Sequence, residues 1–313
     1  MRLTKRFLFA ILFLLISLKG LELLYGFFLL ENRNIKSAYV SKEKINAEVL
    51  ILGPCVPVWM ISPSILDKHT GLKSFNLAQS HSDLADNFLH LHLYLKNNLP
   101  PKYLLLYISP ESFDIRYNEF NTYRFASFLG DTAVNDIIKK QDPEYYKWSG
   151  FPFMAYAYYS NKINFNVLQG VKHFASGKNK AYFEDGFEPP FEIWKSDSQA
   201  FTESYPKNQN FIWSSNREGY LNKIIQICKA FNIKLILFES PIYSQSAKFQ
   251  PNRSVFINRI KEISNYNKIE YLNFDTMLIS NDKDNFKTTI NLNKKASEEF
   301  TETFGKYLKK HDF

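Results

Sequence analysis

Five short apolar runs, separated by stretches with helical spacing, constrain this 313-residue chain more than any other feature. They are VLIL (residues 49–52), SFNLA (74–78), YLLLYI (103–108), LILFE (235–239) and IEYLNFD (269–275). Runs this short do not make buried helices, and they lack the alternation of a half-exposed sheet. Strands covered on both faces read this way. Helical patterns lie between and after them: residues 82–98 with Ser82 or Asp83 as cap, then 218–233, 252–266 and 293–310. The alternation predicts an α/β three-layer sandwich with a mostly parallel sheet. Sites in such sheets lie beyond the carboxyl ends of the strands. Residues that follow Leu52, Leu77, Ile108, Phe238 and Phe274 are therefore the expected functional ones.

The N-terminus carries a different signal. Arg2, Lys5 and Arg6 precede FLFAILFLLISLKGLELLYGFFLL, residues 7–30. As a helix this run spans ~36 Å, enough for a ~30 Å hydrocarbon core with some tilt. No small-x-small cleavage site follows, so the run reads as an uncleaved signal anchor. The basic residues are expected to stay cytoplasmic, which makes the chain a single-pass inner-membrane protein with its C-terminal domain outside the cytoplasm. Lys19 and Glu22 fall inside the run, three residues apart on one helical face. Each would cost ~3 kcal/mol near the bilayer centre, so they are expected to pair or to meet an integral-membrane partner.

Residues 1–30 thus form the cytoplasmic tip and anchor, 31–47 a polar stalk, and 48–313 the α/β domain. Residues 114–215 break the strand–helix rhythm with Tyr, Phe, Trp, Pro and Gly; about a hundred residues are too many for a loop and imply an inserted subdomain. A net charge of +8 favours anionic partners such as lipid headgroups or acidic glycans. No basic cluster or recognition motif points to nucleic acid. Cys55 and Cys228 give no metal spacing and no framework beyond one bridge between them. His90 and His92 flank Leu91 and cannot share a helix face, and His69 and His173 have no partner by spacing. No metal or cofactor is expected.

Four stretches in order, VLILGPC followed by ISPSIL, SFNLAQSHSDL, PKYLLLYISPESF and FKTTINLNKKASEEF, resemble the SGNH (GDSL-like) hydrolase superfamily. The likeness is to its membrane-anchored branch, associated with O-acylation or deacylation of cell-surface polymers. It covers both ends of residues 48–313 and leaves out the insertion. It implies a Gly-x-Ser nucleophile after the first strand and an Asp-x-x-His just before the last helix, with backbone N–H groups holding the oxyanion.

Against that pattern Gly53 is kept, but Cys55 stands at the Ser position, Thr288 at the Asp and Asn291 at the His. Ala78 replaces a usual Gly in the second loop, beside Ser80. A thiol can replace a hydroxyl as nucleophile, but an amide has no titratable group and cannot serve as general base. The expectation is a catalytically degenerate protein that binds a surface polysaccharide or scaffolds an acyl-transfer partner. The alternative is an active esterase or O-acyltransferase in which His81, in the loop after the second strand, serves Cys55 as base. Glu111 and Glu239 follow the third and fourth strands and are expected in the same cleft, as helix caps, ligand contacts or partners of basic residues.

Overall fold

A computed structural model describes residues 2–117, 120–177, 183, 185–188, 210–249, 252–288 and 290–311. Much of the aromatic-rich stretch 181–209 lies outside the described residues. The chain divides into two compact units, Met1–Lys44 with Phe120–Tyr182, and Ile45–Glu119 with Phe183–Phe313.

The second unit holds a five-stranded sheet: β1 (Val49–Leu52), β2 (Ser74–Asn76), β3 (Tyr103–Tyr107), β4 (Lys234–Glu239) and β5 (Glu270–Asn273). Every pairing is parallel and the order is β2-β1-β3-β4-β5, so β1, β3 and β4 lie inside the sheet. All four residues of β1 are buried, as a strand between two helical layers must be. Val49, Ile51, Leu105, Ile236 and Phe238 pack with α4 (Pro63–Thr70) and α13 (Lys294–Lys310), whose Phe300 and Phe304 form the centre of that core. The residues of opposite parity, Leu50, Leu52, Leu104, Leu106 and Leu237, are equally buried. α11 (Ser215–Ala230) packs on β4 and on α5 (Leu84–Asn97).

Asp83 caps α5, accepting hydrogen bonds from the N–H groups of Ala85 and Asp86 at 2.8 and 3.1 Å. The predicted second and third strands end earlier than their apolar runs, at Asn76 and Tyr107, although the next N–H groups, of Leu77 and Ile108, still donate to the Ile51 and Phe238 carbonyls at 2.9 Å. The two ends of the insertion lie side by side. The Ile115 N–H donates to the Ile212 carbonyl at 3.0 Å and the Ser214 N–H to that of Phe113 at 2.8 Å. Phe113 stacks on Trp213 with centroids 4.5 Å apart.

A short helix, α6 (Pro110–Phe113), follows β3, and the first unit is helical: α1 (Arg2–Glu31), α2 (Lys36–Lys42), α7 (Thr132–Gln141), α8 (Pro143–Ser149), α9 (Met154–Tyr158) and α10 (Ser160–Ser176). α1 includes a stretch, Thr4–Glu31, long and apolar enough to cross a membrane. Its core joins Leu29 of α1 to Ile35, Ala38, Ala126, Tyr156 and Ile163. Within the segment read as a polar stalk, α2 buries Lys36, Ser37, Ala38 and Val40. The two cysteines form no bridge; both thiols are free of disulfide.

Candidate functional site

Two connections shape the carboxyl edge of the sheet. β1 runs through Gly53 into α3 (Cys55–Met60), and Gly53 takes φ = 151°, a conformation that side chains oppose. A methyl group at Gly53 would lie 2.7 Å from Pro57 Cγ and 2.8 Å from Tyr107 Cβ. The Gly53 carbonyl accepts from the Gln79 N–H at 3.0 Å and from Ser82 Oγ at 3.1 Å, which ties the loop after β2 to the loop after β1. Asn76, at the end of β2, donates through Nδ2 to the carbonyls of Pro57 and Ile61, and its Oδ1 accepts from the Ala78 N–H at 3.1 Å.

A cavity of about 280 Å³ opens beside these loops. Cys55 lines it from the end of β1, Ser82 and Asp83 from the loop before α5, and Ser109, Glu111 and Ser112 from the turn after β3. Across from these, Glu239 and Ser240 come from the end of β4, Arg217 from α11 and Arg253 from α12 (Arg253–Asn267). Ile290 contributes from the loop before α13.

Glu239 is the most constrained group in this wall, 2% exposed. Its Oε2 accepts from Arg253 Nη2 and its Oε1 from the Tyr271 hydroxyl. Arg253 also donates to Asp275 Oδ2, from Nη2 at 3.1 Å and Nε at 3.3 Å. Burial pushes the Glu239 carboxyl up to about 7, against the pull of Arg253 and the Tyr271 hydrogen bond. Burial, reinforced by Glu111, also raises Tyr107 far above the usual phenol range, so it stays a neutral hydrogen-bonding group. Arg217 is 7% exposed and, among the described residues, donates through Nη1 to the carbonyls of Glu111 and Ser112, at 3.4 and 3.5 Å. Those are long bonds for a guanidinium.

Cys55, Glu111 and Glu239 thus line one cavity, and the remaining sequence candidates fall elsewhere. His81 is exposed in the loop after β2, at φ = 52°, and is not among the lining residues. Gly53, Ala78 and Ser80 shape the adjoining loops without lining the cavity. In the loop before α13, Asn291 Nδ2 donates to Thr288 Oγ1 at 2.9 Å, and the Asn291 N–H reaches the same oxygen at 3.2 Å. Asn293 caps α13 by accepting from the Ala296 N–H at 3.0 Å. Lys19 pairs with Glu22 within α1, the pairing that the sequence spacing allows.

Of the other histidines, His90 is fully buried in α5, His69 approaches Glu302 at 3.7 Å, and His173 accepts from the Arg33 N–H at 3.2 Å. Both of the last two partners are distant in sequence, which spacing arguments do not reach. Cys228 is buried, and burial pushes its thiol up to about 12, leaving it an inert small hydrophobe. Among the described residues no group of three His, Cys, Asp or Glu side chains is placed to hold a metal ion.

Sequence reasoning missed Arg217, Arg253 and Ser240. The sequence does carry one signal for the serine: the third and fourth apolar runs each lead into a Ser-Pro, in YISPES and FESPIY, and both serines, Ser109 and Ser240, line the cavity. The arginines sit on helices and carry no local mark.

Fold and cavity define an α/β protein with a cavity of mixed polar and apolar lining at the carboxyl edge of an all-parallel sheet, with one helix of membrane-spanning length among the described residues. Comparison of the chain with models of known protein families and with curated proteins finds no match.

Proposed function

We propose that this chain is a membrane-anchored, extracytoplasmic protein of SGNH-like descent that binds a hydroxyl-rich ligand, such as a surface glycan, without running a Ser–His–Asp relay. The observation that carries this reading is the Asn291–Thr288 pair. Where that relay needs an imidazole oriented by a carboxylate, an amide and a hydroxyl bond each other, and neither can accept a proton at neutral pH. The ligand class follows from the lining. Ser82, Ser109, Ser112 and Ser240 offer hydroxyls, Glu111 an acceptor and Arg217 a donor, which is the equipment for holding a polyol. Arg2, Lys5 and Arg6, in the first turns of α1, favour an extracytoplasmic domain.

The test uses the full-length chain in detergent micelles, assayed on p-nitrophenyl acetate and butyrate and titrated with a panel of neutral and acidic oligosaccharides. The expected result is no ester turnover above that of Cys55→Ala, and saturable glycan binding that Arg217→Ala weakens about tenfold, the loss of ~1.4 kcal/mol typical of one charged hydrogen-bond donor. Turnover abolished by Cys55→Ala overturns the reading.

A second reading has its own support. Cys55 and Glu239 line the same cavity, and a carboxyl pushed up to about 7 can exchange protons near neutral pH. In it Cys55 is an acyl acceptor and Glu239, rather than His81, the proton acceptor. Turnover lost in both Cys55→Ala and Glu239→Gln, and retained in His81→Ala, would establish it.

A further inference from the structure

α1 is covered along part of its apolar length. The Phe153 N–H, in the turn before α9, donates to Glu22 Oε2 at 2.8 Å, giving that carboxylate a second donor besides Lys19. The Tyr25 ring meets Phe153 edge-on with centroids 4.9 Å apart. A methyl group on Gly26 would lie 2.9 Å from the Tyr156 hydroxyl oxygen. At Gly170 of α10 the approach is closer still, since a methyl group there would lie 1.8 Å from the Phe28 carbonyl oxygen. These contacts run from Glu22 to Phe28, inside the apolar run that ends at Leu30. Glu22 lies eight residues before that end, ~12 Å along the axis. Whatever medium surrounds α1 at Glu22 therefore surrounds the turn bonded to it.

α8, α9 and α10 also turn large apolar side chains outward. Trp148, Phe151, Met154, Phe165, Leu168 and Phe174 are exposed, Phe151 and Phe165 by 59% and 61%. Leu23, Leu24 and Phe27 of α1 are exposed too, and Phe174 joins the two surfaces, meeting Phe27 and Phe28 with centroids 5.4 and 6.0 Å apart. An apolar surface of this size costs too much in water to be left open, and this one is continuous with a segment built for lipid. Its composition suits the headgroup boundary. Tyr146, Trp148, Tyr158 and Tyr159 are of the two residue types that gather there, and Lys147, Lys162 and Lys172 are exposed with stems long enough to reach phosphates.

We propose that α8–α10, residues 143–176, lie in the lipid leaflet crossed by the C-terminal half of α1, with Phe151, Phe165 and Leu168 among the acyl chains. The protein is then held by a span and an interfacial helical collar. Lys19 and Glu22 need no separate membrane protein: the collar itself supplies the second donor to Glu22. The inference rests on α1 crossing the bilayer.

The test places an environment-sensitive fluorophore on single cysteines in full-length protein with Cys55 and Cys228 replaced by Ala. Positions are Phe151→Cys, Phe165→Cys and Leu168→Cys, with Leu12→Cys in α1 and Lys306→Cys on α13 as controls. The protein is reconstituted into phosphatidylcholine–phosphatidylglycerol vesicles with or without brominated acyl chains. All three sites are exposed, so labelling disturbs no packing. Trp148 gives an independent, label-free reading once Trp59, Trp194 and Trp213 are replaced by Phe.

The expected result is bromolipid quenching at 151, 165 and 168 at least half as strong as at 12, with iodide quenching at least fivefold weaker than at 306. Iodide access at the three positions equal to that at 306 overturns the proposal and places the collar in water. Shielding from both quenchers overturns it in favour of a covering protein. Absence of bromolipid quenching at 12 itself removes the premise that α1 spans.

Discussion

Glu239 is pulled two ways, and its titration is the measurable consequence. Two hydrogen bonds favour the carboxylate, yet burial raises its folded value from 4.5 to about 7. Between these values the folded protein binds more protons than the unfolded chain, so stability falls as pH rises. The contribution is fully present below about pH 4.5 and is lost by about pH 7. Denaturation midpoints measured across pH 4.5–7 should therefore decline through this window, and Glu239→Gln should flatten the decline. An unchanged slope in the variant would place the titration elsewhere. Glu239 was legible in the sequence because an acid closing an apolar run marks a strand end. Its neighbours Arg253, Tyr271 and Asp275 were not, since they come from a helix, a strand and a turn that only the fold brings together.

At the scale of elements, the sheet was easy to read and the collar was not. Val49–Leu52 is bounded by polar residues on one side and Gly-Pro on the other, so apolarity and turn chemistry agree about where the strand stops. α8–α10 mix Lys, Asn and Tyr with Phe and Leu around the same turns, and Phe165, Leu168 and Phe174 are exposed among Lys162, Asn164 and Lys172. A pattern that assumes water outside finds no helix there. Gly170 is the position on which α10 depends, because its missing side chain admits the Phe28 carbonyl. Gly170→Ala should push α10 off α1 and cost ~1–3 kcal/mol, the range for overpacked contacts, read as earlier protease cleavage between residues 143 and 176 in detergent. Gly150→Ala, where a methyl group meets nothing within 4 Å, is the matched control and should leave the cleavage pattern unchanged.

For the whole molecule, the two units are interleaved along the chain: the first begins, the second runs from Ile45 to Glu119, and the first resumes at Phe120. Removing the apolar N-terminus, the ordinary route to a water-soluble form, therefore takes Leu29 out of one core, together with Tyr25 and Leu30 that pack against it. A chain lacking residues 1–31 leaves Tyr156 and Ile163 without Leu29 and should bind hydrophobic dyes and elute as an aggregate. A chain that also lacks 120–182, bridged by a short Gly-Ser linker, should elute as a monomer with the sheet intact by circular dichroism. Monomeric behaviour of the first truncation would mean that α8–α10 close on themselves without α1.

Interleaving also sets a timetable. The seat on α1 for α10, at Phe28, is made near the start of synthesis, and Gly170 follows more than a hundred residues later. At about 5–20 residues per second that gap lasts roughly 7–28 s. Throughout it, the nascent protein is tethered with the Glu22 flank unfilled, and β1–β3 emerge before either unit can be finished. β4 and β5 then leave the ribosome only after the collar, so the last edge of the sheet closes when the membrane-side work is already done.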